Sequence, residues 1–349
     1  MTKTPIQWTD FSVNPFKFRN LETGKVGHHC TKISDGCKLC YASKLNGGPY
    51  LSGLTYIAEN RAKGEFFLDE AVLQKVLKRK KPARIFWCDM TDMFLEDYPD
   101  EWIDRCFAVM ALTPQHTHQV LTKRAKRMRE YFAAAIPLSS REEYVAAQAA
   151  HTGKIVWDAR GSERHNYFGC ARPGDVSNRR VWPGWPLPHV HLGVSVEDPP
   201  TADARIAELL ATPARVRWVS YEPALAAVNF EPFLGDDFTG DLINGPCERH
   251  PGIDWLVVGG ESGPHARPCD LAWLRSAVSQ CRAANVPAFV KQLGADPREG
   301  NANGNCRDLN CTHPDCGYIR HKLNDRKGGE ITEFPEDLRV RELPREARP

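Results

Sequence analysis

The chain has 349 residues, 42% of them hydrophobic and 26% charged, with a formal net charge of +2. This suits a globular protein built as one large α/β domain or two smaller ones, and it excludes strong non-specific binding of nucleic acid by bulk charge. No apolar run reaches membrane-spanning length, and the opening MTKTPIQWTD lacks the apolar core of a secretory signal, so a cytoplasmic protein with no membrane partner is expected.

In chain order, a first strand is expected near Gln7–Val13. Cys30, Cys37 and Cys40 follow, with six and two residues between them and Gly36 in the longer gap. Leu68, Val72 and Val76 recur at helical spacing and predict an amphipathic helix. Arg84–Cys88 and His118–Leu121 read as strands. The connection of about 132–188, which carries Trp182 and Trp185, is too long for an ordinary loop and reads as an insertion. Strands resume at Val190–Val196, Val216–Tyr221 and Trp255–Gly259. Leu271, Leu274, Val278 and Cys281 form a second helical stripe, followed by a strand at Pro287–Val290. A second insertion, rich in Asn, Gly and Cys, is expected over about 296–327.

About seven strands alternating with helices imply parallel βαβ units. The expected fold is therefore α/β: a full or partial parallel β/α (TIM-like) barrel, a single domain over 1–349 with two insertions. In such a barrel the C-terminal strand ends share one mouth, where sites are built. Those ends read Asp89–Asp92, Thr122–Arg124, Ser195–Glu197, Tyr221–Pro223, Gly259–Gly263 and Lys291–Gln292. Singly, each is a polar residue entering a loop; together they predict a polar mouth.

Twelve cysteines in a reducing compartment point to metal or redox chemistry rather than disulfides. Cys106 and Cys281 fall on apolar helix faces, where cysteine acts as a small hydrophobe. The triplet differs, because three thiolates at its spacing can converge on one metal. A closed zinc site takes four ligands and so does an ordinary four-iron cluster, so three leave one position open. The rival reading is half of a zinc site completed by residues such as His28 or His29. Farther on, Cys306, Cys311, His313 and Cys316 match zinc's ligand types and number. A second iron–sulfur cluster and a plain surface loop are the alternatives there. The basic run Lys78–Arg84 ends a predicted helix, where cations suit the helix dipole. The run Lys123–Arg129 instead begins at a strand end. Lys123, Arg124 and Arg127, with Trp182 and Trp185 as stacking platforms, are candidate contacts to a nucleic-acid backbone and base.

The segments Trp8–Asp10, Asn14–Pro15, Cys40–Ala42, Leu121–Arg124, Gly193–Glu197, Gly259–Gly263, Val290–Gly294 and Pro335–Val340 span most of the chain outside the insertions. As a set they resemble the radical SAM superfamily, and more closely a phage-associated three-cysteine branch of it. The chain departs from the superfamily's usual run. The gap between its first two cysteines is longer, and the aromatic Tyr41 follows the last cysteine rather than preceding it. The resemblance implies a 4Fe–4S cluster on Cys30, Cys37 and Cys40. Its open iron would bind S-adenosylmethionine through the amino and carboxylate groups. An electron donor would then drive reductive cleavage to a 5′-deoxyadenosyl radical that takes hydrogen from substrate. Asp92, Ser195, Glu197, Gly259, Gly260, Glu261 and Ser262 are the expected cofactor contacts. Glycines let backbone approach a ligand, and carboxylates accept from ribose hydroxyls or the cofactor amine; an ordinary turn is the alternative for residues 259–263. The expected function is thus a radical-SAM-like enzyme with nucleic acid or a nucleotide as substrate. The alternatives are a non-catalytic iron–sulfur or zinc protein that binds nucleic acid or a partner, and a radical enzyme acting on a peptide or small molecule.

Overall fold

A computed structural model describes residues 1–133, 186–235, 252–300 and 318–344. The chain divides into two compact units. Met1–Thr31, Ala42–Leu192 and Thr212–Arg215 make the first; Lys32–Tyr41, Gly193–Ala211 and Val216–Pro349 make the second. Nearly all of the insertion expected at about 132–188 lies outside the described residues, as do residues 301–317 of the second insertion.

The elements of the first unit are β1 (Thr2–Lys3), β2 (Phe11–Val13), β3 (Phe16–Asn20), β4 (Val26–Gly27), α1 (Tyr41–Asn46, whose first residue belongs to the second unit), α2 (Ala58–Arg61), β5 (Gly64–Leu68), α3 (Glu70–Lys78), β6 (Arg84–Trp87), α4 (Asp100–Leu112), β7 (Thr117–Thr122) and α5 (Ala125–Ala133). β1 is antiparallel to β2; β2, β6 and β7 then pair in parallel. The next neighbour of β7 is β8 (Val190–Val196), whose first residues belong to this unit. An antiparallel sheet in the order β4-β3-β5 was not expected from the sequence. It explains one boundary. Leu68 pairs with Phe16 as the end of β5, and α3 starts after Asp69, whose carboxylate accepts from the Ala71 amide. An N-cap residue is extended, so the helix cannot reach back to Leu68. Val72, Leu73 and Val76 form the buried face of α3.

The second unit continues β8 and adds α6 (Pro199–Leu210), β9 (Val216–Tyr221), β10 (Trp255–Gly259), β11 (Cys269–Asp270), α7 (Leu271–Ala283), β12 (Ala288–Gln292), β13 (Pro297–Gly300) and β14 (Tyr318–Arg320). Its strands run β8-β9-β10-β12, with the β9–β10 and β10–β12 pairs parallel. β10 is buried along its whole length and β8 nearly so, as continuous apolar strands covered on both faces should be. Trp218 and Trp255 pack with ring centroids 5.3 Å apart. Gly193 makes room for them, since a Cβ there would lie 2.5 Å from the Trp218 ring. The α7 stripe is buried at Leu271, Leu274, Val278 and Cys281, as its spacing predicts. The segment after Leu338 covers the outer edge of β12. The Val290 amide donates to Val340 O at 2.8 Å and the Glu342 amide to Ala288 O at 2.9 Å. The second insertion begins in β13 and resumes in β14, and these two strands pair with each other.

The chain is therefore α/β, with a large and mostly parallel sheet. The strand order begins at β1 and ends at β12; among the described residues no pairing joins these two. No described helix is long and apolar enough to cross a membrane.

Candidate functional site

In the first unit the strand ends after β6 and β7 meet Cys30. Asp92 is buried and shapes this corner. Its Oδ1 accepts from Thr122 Oγ1 at 2.7 Å and its Oδ2 from the Lys123 amide at 2.9 Å. Arg124, the first residue before α5, is also buried. It donates to Glu96 at 2.7 Å, to Asp92 at 3.3 Å and to Thr31 O at 3.0 Å, and its Nη1 lies 3.8 Å from Cys30 Sγ. Burial works against this guanidinium's charge, but Asp92, Cys30 and Glu96 outweigh it and raise its pKa. Arg127 pairs with Asp100. Two of the three basic residues expected to face a nucleic-acid backbone are thus partners of the protein's own carboxylates.

His28 and His29 are buried beside the antiparallel sheet. The His28 Nδ1 proton is donated to Phe16 O at 2.9 Å, while Nε2 faces the Lys17 ammonium at 3.5 Å. Burial lowers the His28 pKa to about 4. His29 packs against Phe18 and Tyr56. The first ring thus has a cation beside it, and the second belongs to an aromatic cluster.

In the second unit, Cys37 ends a single helical turn, Asp35–Cys37, and the Cys40 amide donates to Cys37 O at 3.4 Å. This loop rests on Glu197, at the end of β8. Glu197 is fully buried. Its carboxylate accepts from Ser34 Oγ at 3.1 Å and from Arg205 Nη1 at 3.0 and 3.2 Å. Ser34 Oγ also lies 3.8 Å from Cys37 Sγ. Gly36 is required by this approach, because a Cβ there would lie 2.3 Å from Glu197 Oε1. Ser195 is buried, and its carbonyl accepts from Arg205 at 2.7 Å.

The Gly259–Gly263 segment follows the same pattern. Glu261 is buried and accepts from the Arg267 amide at 3.0 Å and its guanidinium at 2.8 and 2.6 Å. Gly260 packs against the next strand end, where a Cβ would lie 2.3 Å from Leu293 O. Its lack of a side chain serves that crossing, as an ordinary strand-to-loop junction would. Ser262 is half-buried. At the ends of β9 and β12, Lys291 Nζ donates to both Glu222 oxygens at 2.7 and 2.8 Å. Gln292 Nε2 bridges Glu222 at 3.0 Å and Gly260 O at 2.9 Å. Each strand-end carboxylate here has its own cation. The partners Arg205 and Arg267 were missed in the sequence. Arg205 lies on the buried face of α6, in register with Ala202, Ile206 and Leu209, and that spacing was the available signal.

The seven described cysteines sort by burial. Cys88, Cys106, Cys269 and Cys281 are buried, and burial raises their thiol pKa values, that of Cys281 to about 12. Cys30, Cys37 and Cys40 are half-buried. Number, element and accessibility of this triplet fit a three-thiolate donor set. Among the described residues, no three His, Cys, Asp or Glu side chains are already gathered as metal ligands. Trp182, Trp185, Cys306, Cys311, His313 and Cys316 lie outside the described residues.

No curated protein and no solved structure matches the chain. Residues 3–329, strand ends and cysteine triplet included, match one family along nearly their whole length, and the chain therefore belongs to the family described as Protein of unknown function (DUF5131).

Proposed function

We propose that this protein is a radical-SAM-like iron–sulfur enzyme whose parallel strands form a partial β/α barrel. The observation that carries the reading is the sorting of the cysteines. The three accessible thiols among the described residues are the closely spaced triplet, each in a segment pinned to the C-terminal end of a sheet strand. Cys30, Cys37 and Cys40 would hold a 4Fe–4S cluster. Bound there with S-adenosylmethionine and reduced by an electron donor, the cluster would supply a 5′-deoxyadenosyl radical.

The chain's own residues have separate tasks. Arg124 holds the Cys30 arm and Glu197 holds the Cys37 arm. The Glu222–Lys291 and Glu261–Arg267 pairs furnish polar strand ends in the second unit, with Asp92 doing so in the first. Ser195, Gly259, Gly260 and Ser262 remain proposed cofactor neighbours. An oxygen-sensitive centre suits the reducing cytoplasm. A zinc on Cys306, Cys311, His313 and Cys316 is part of the same proposal, as an ordering site with no open position.

A nucleic-acid or nucleotide substrate remains the proposed class. Arg124 and Arg127 are engaged internally, so it draws on the sequence alone: the basic run that starts at Lys123, with Trp182 and Trp185. Its test is binding to single-stranded DNA and RNA that weakens as salt rises; no binding at low salt turns the proposal toward a peptide or small molecule.

The decisive experiment is anaerobic reconstitution followed by dithionite reduction with S-adenosylmethionine. About four irons per chain are expected, with 5′-deoxyadenosine as product. Stoichiometric zinc without iron would overturn the cluster. A loaded cluster whose electron paramagnetic resonance spectrum ignores S-adenosylmethionine would favour a non-catalytic binding protein.

A further inference from the structure

The carboxylate of Glu197 matches the expected pattern of a strand-end ligand contact, yet its surroundings give it a different task. It has no exposed surface. Both oxygens are occupied: Oε1 by Ser34 and Arg205, Oε2 by Arg205. The guanidinium is itself fixed, since the same Nη1 donates to Ser195 O at 2.7 Å. The backbone on either side is held too. The Glu197 amide donates to Thr201 Oγ1 at 2.9 Å, and its carbonyl accepts from the Leu225 amide at 2.9 Å. Asp198 then opens α6 with a reciprocal capping box to Thr201, so the helix that carries Arg205 starts in a defined register. On the other side, Ser34 and Gly36 belong to the cysteine loop, and only a glycine at position 36 lets the loop close on this carboxylate.

We propose that Glu197 is the positioning residue of the cysteine loop: the chain Arg205–Glu197–Ser34–Cys37 sets where Cys37, and through it Cys40, is presented. The loop's other contacts include Lys32 Nζ donating to Lys38 O at 3.4 Å, on the surface. The loop contains one helical turn of three residues with none of them buried, and its Lys38–Asp35 pair is exposed on both sides. An exposed pair of this kind contributes little, whereas a charge-assisted hydrogen bond to a buried carboxylate is among the stronger single contacts a loop can make. These contacts are features of the protein alone. Their link to function rests on the radical-SAM-like reading, in which Cys37 and Cys40 are ligands.

The test separates the two. In metal-free protein under reducing conditions, alkylation of each cysteine by iodoacetamide is timed by mass spectrometry in wild type, Glu197→Ala, Ser34→Ala and Ser34→Thr. Glu197→Ala and Ser34→Ala should change the labelling rates of Cys37 and Cys40 several-fold. Cys30 should be unaffected and Cys88 and Cys106 should stay protected, which certifies the fold. Ser34→Thr keeps the hydroxyl and should restore wild-type rates, which a general loosening would not do. Ser34→Ala leaves the buried Arg205–Glu197 pair intact, so it remains informative if Glu197→Ala does not fold. After anaerobic iron loading, the two alanine variants should hold less iron than wild type and show a broadened paramagnetic signal. Unchanged Cys37 and Cys40 labelling in folded Ser34→Ala would overturn the proposal. If labelling changes as expected but wild type takes up no iron, the positioning role stands and the cluster reading fails. If wild type and Ser34→Ala load iron equally with identical spectra, the cluster reading stands and the link from this contact chain to the cluster fails.

Discussion

Cys106 on α4 and Cys281 on α7 have no exposed surface, and desolvation of the thiolate raises both pKa values. They behave as small apolar residues, whereas the half-buried triplet keeps its thiols accessible. Cys106→Ala should therefore leave iron uptake unchanged while lowering stability by about 0.5–3 kcal/mol, the usual range for a core substitution. Cys37→Ala should abolish the absorbance of the reconstituted cluster at little cost in denaturation midpoint. Loss of iron in both variants, or in neither, would contradict this division. Glycine sorts by the same logic. Gly260→Ala would force a Cβ to 2.3 Å from Leu293 O and 2.9 Å from Cys269 Cβ. It should destabilise the protein by roughly 1–3 kcal/mol, as overpacking does, measured by urea denaturation. Positions such as Gly36 and Gly260 stand out in the sequence as glycines near polar motifs. What each makes room for, Glu197 in one case and Leu293 in the other, is set by residues far away in the chain.

Among the elements, α6 and the strip after Leu338 carry consequences that can be measured. The α6 capping box joins Asp198 and Thr201 directly after Glu197. Asp198→Ala should cost about 0.5–2 kcal/mol of stability. Because Arg205 sits on the same helix, the change should also alter Cys37 alkylation in the same direction as Ser34→Ala does; a stable variant with lost helix but unchanged alkylation would uncouple the cap from the loop. The strip after Leu338 bonds to Ala288 and Val290 and receives the Trp255 indole proton at Glu342 O, 2.9 Å away. Deleting everything after Phe334 would expose the β12 edge, a template for pairing between chains. The truncated protein should scatter light at concentrations where the full chain does not. These elements were partly legible. Strands β8, β9 and β10 have the expected bounds because continuous apolar runs between turn residues leave few alternatives. The antiparallel sheet β4-β3-β5 was not legible, since its strands are short and its pairing joins segments distant in the chain.

At the scale of the whole molecule, acid should destabilise the first unit. His116, His118, His189 and His191 cluster at the starts of β7 and β8, with ring centroids 5.9 Å apart for His116–His118 and 5.8 Å for His118–His189. His118 Nδ1 accepts the Trp87 indole proton at 3.0 Å, which places the ring's own proton on Nε2, facing Thr113 Oγ1 at 3.0 Å. A second proton would oppose the indole N–H. Burial lowers all four pKa values, that of His191 to about 4. The unfolded chain then binds more protons below the ordinary histidine value, so stability is full above it and is lost as pH falls toward about 4. Asp89 acts in the opposite sense because burial raises its pKa, but it stands against these four rings and against His28 and His29, whose pKa values burial also lowers. The thermal midpoint should therefore fall steadily between about pH 7 and pH 4.5. A flat or rising midpoint on acidification would show that these rings do not govern the response.

The sequence by itself determined the α/β class, the positions of the parallel strands and the existence of a distinctive cysteine triplet, because hydrophobic periodicity and short spacings are local properties. It also marked the strand ends as polar. Only the tertiary structure decided what those polar residues do. Asp92 and Glu96 take up Arg124, Glu197 takes up Arg205 and Ser34, Glu261 takes up Arg267, and Glu222 takes up Lys291. A buried charge requires a partner, and a partner can come from anywhere the fold brings close, so its identity is not written in local pattern. The same reason separates the described cysteines that serve as core from the half-buried Cys30, Cys37 and Cys40.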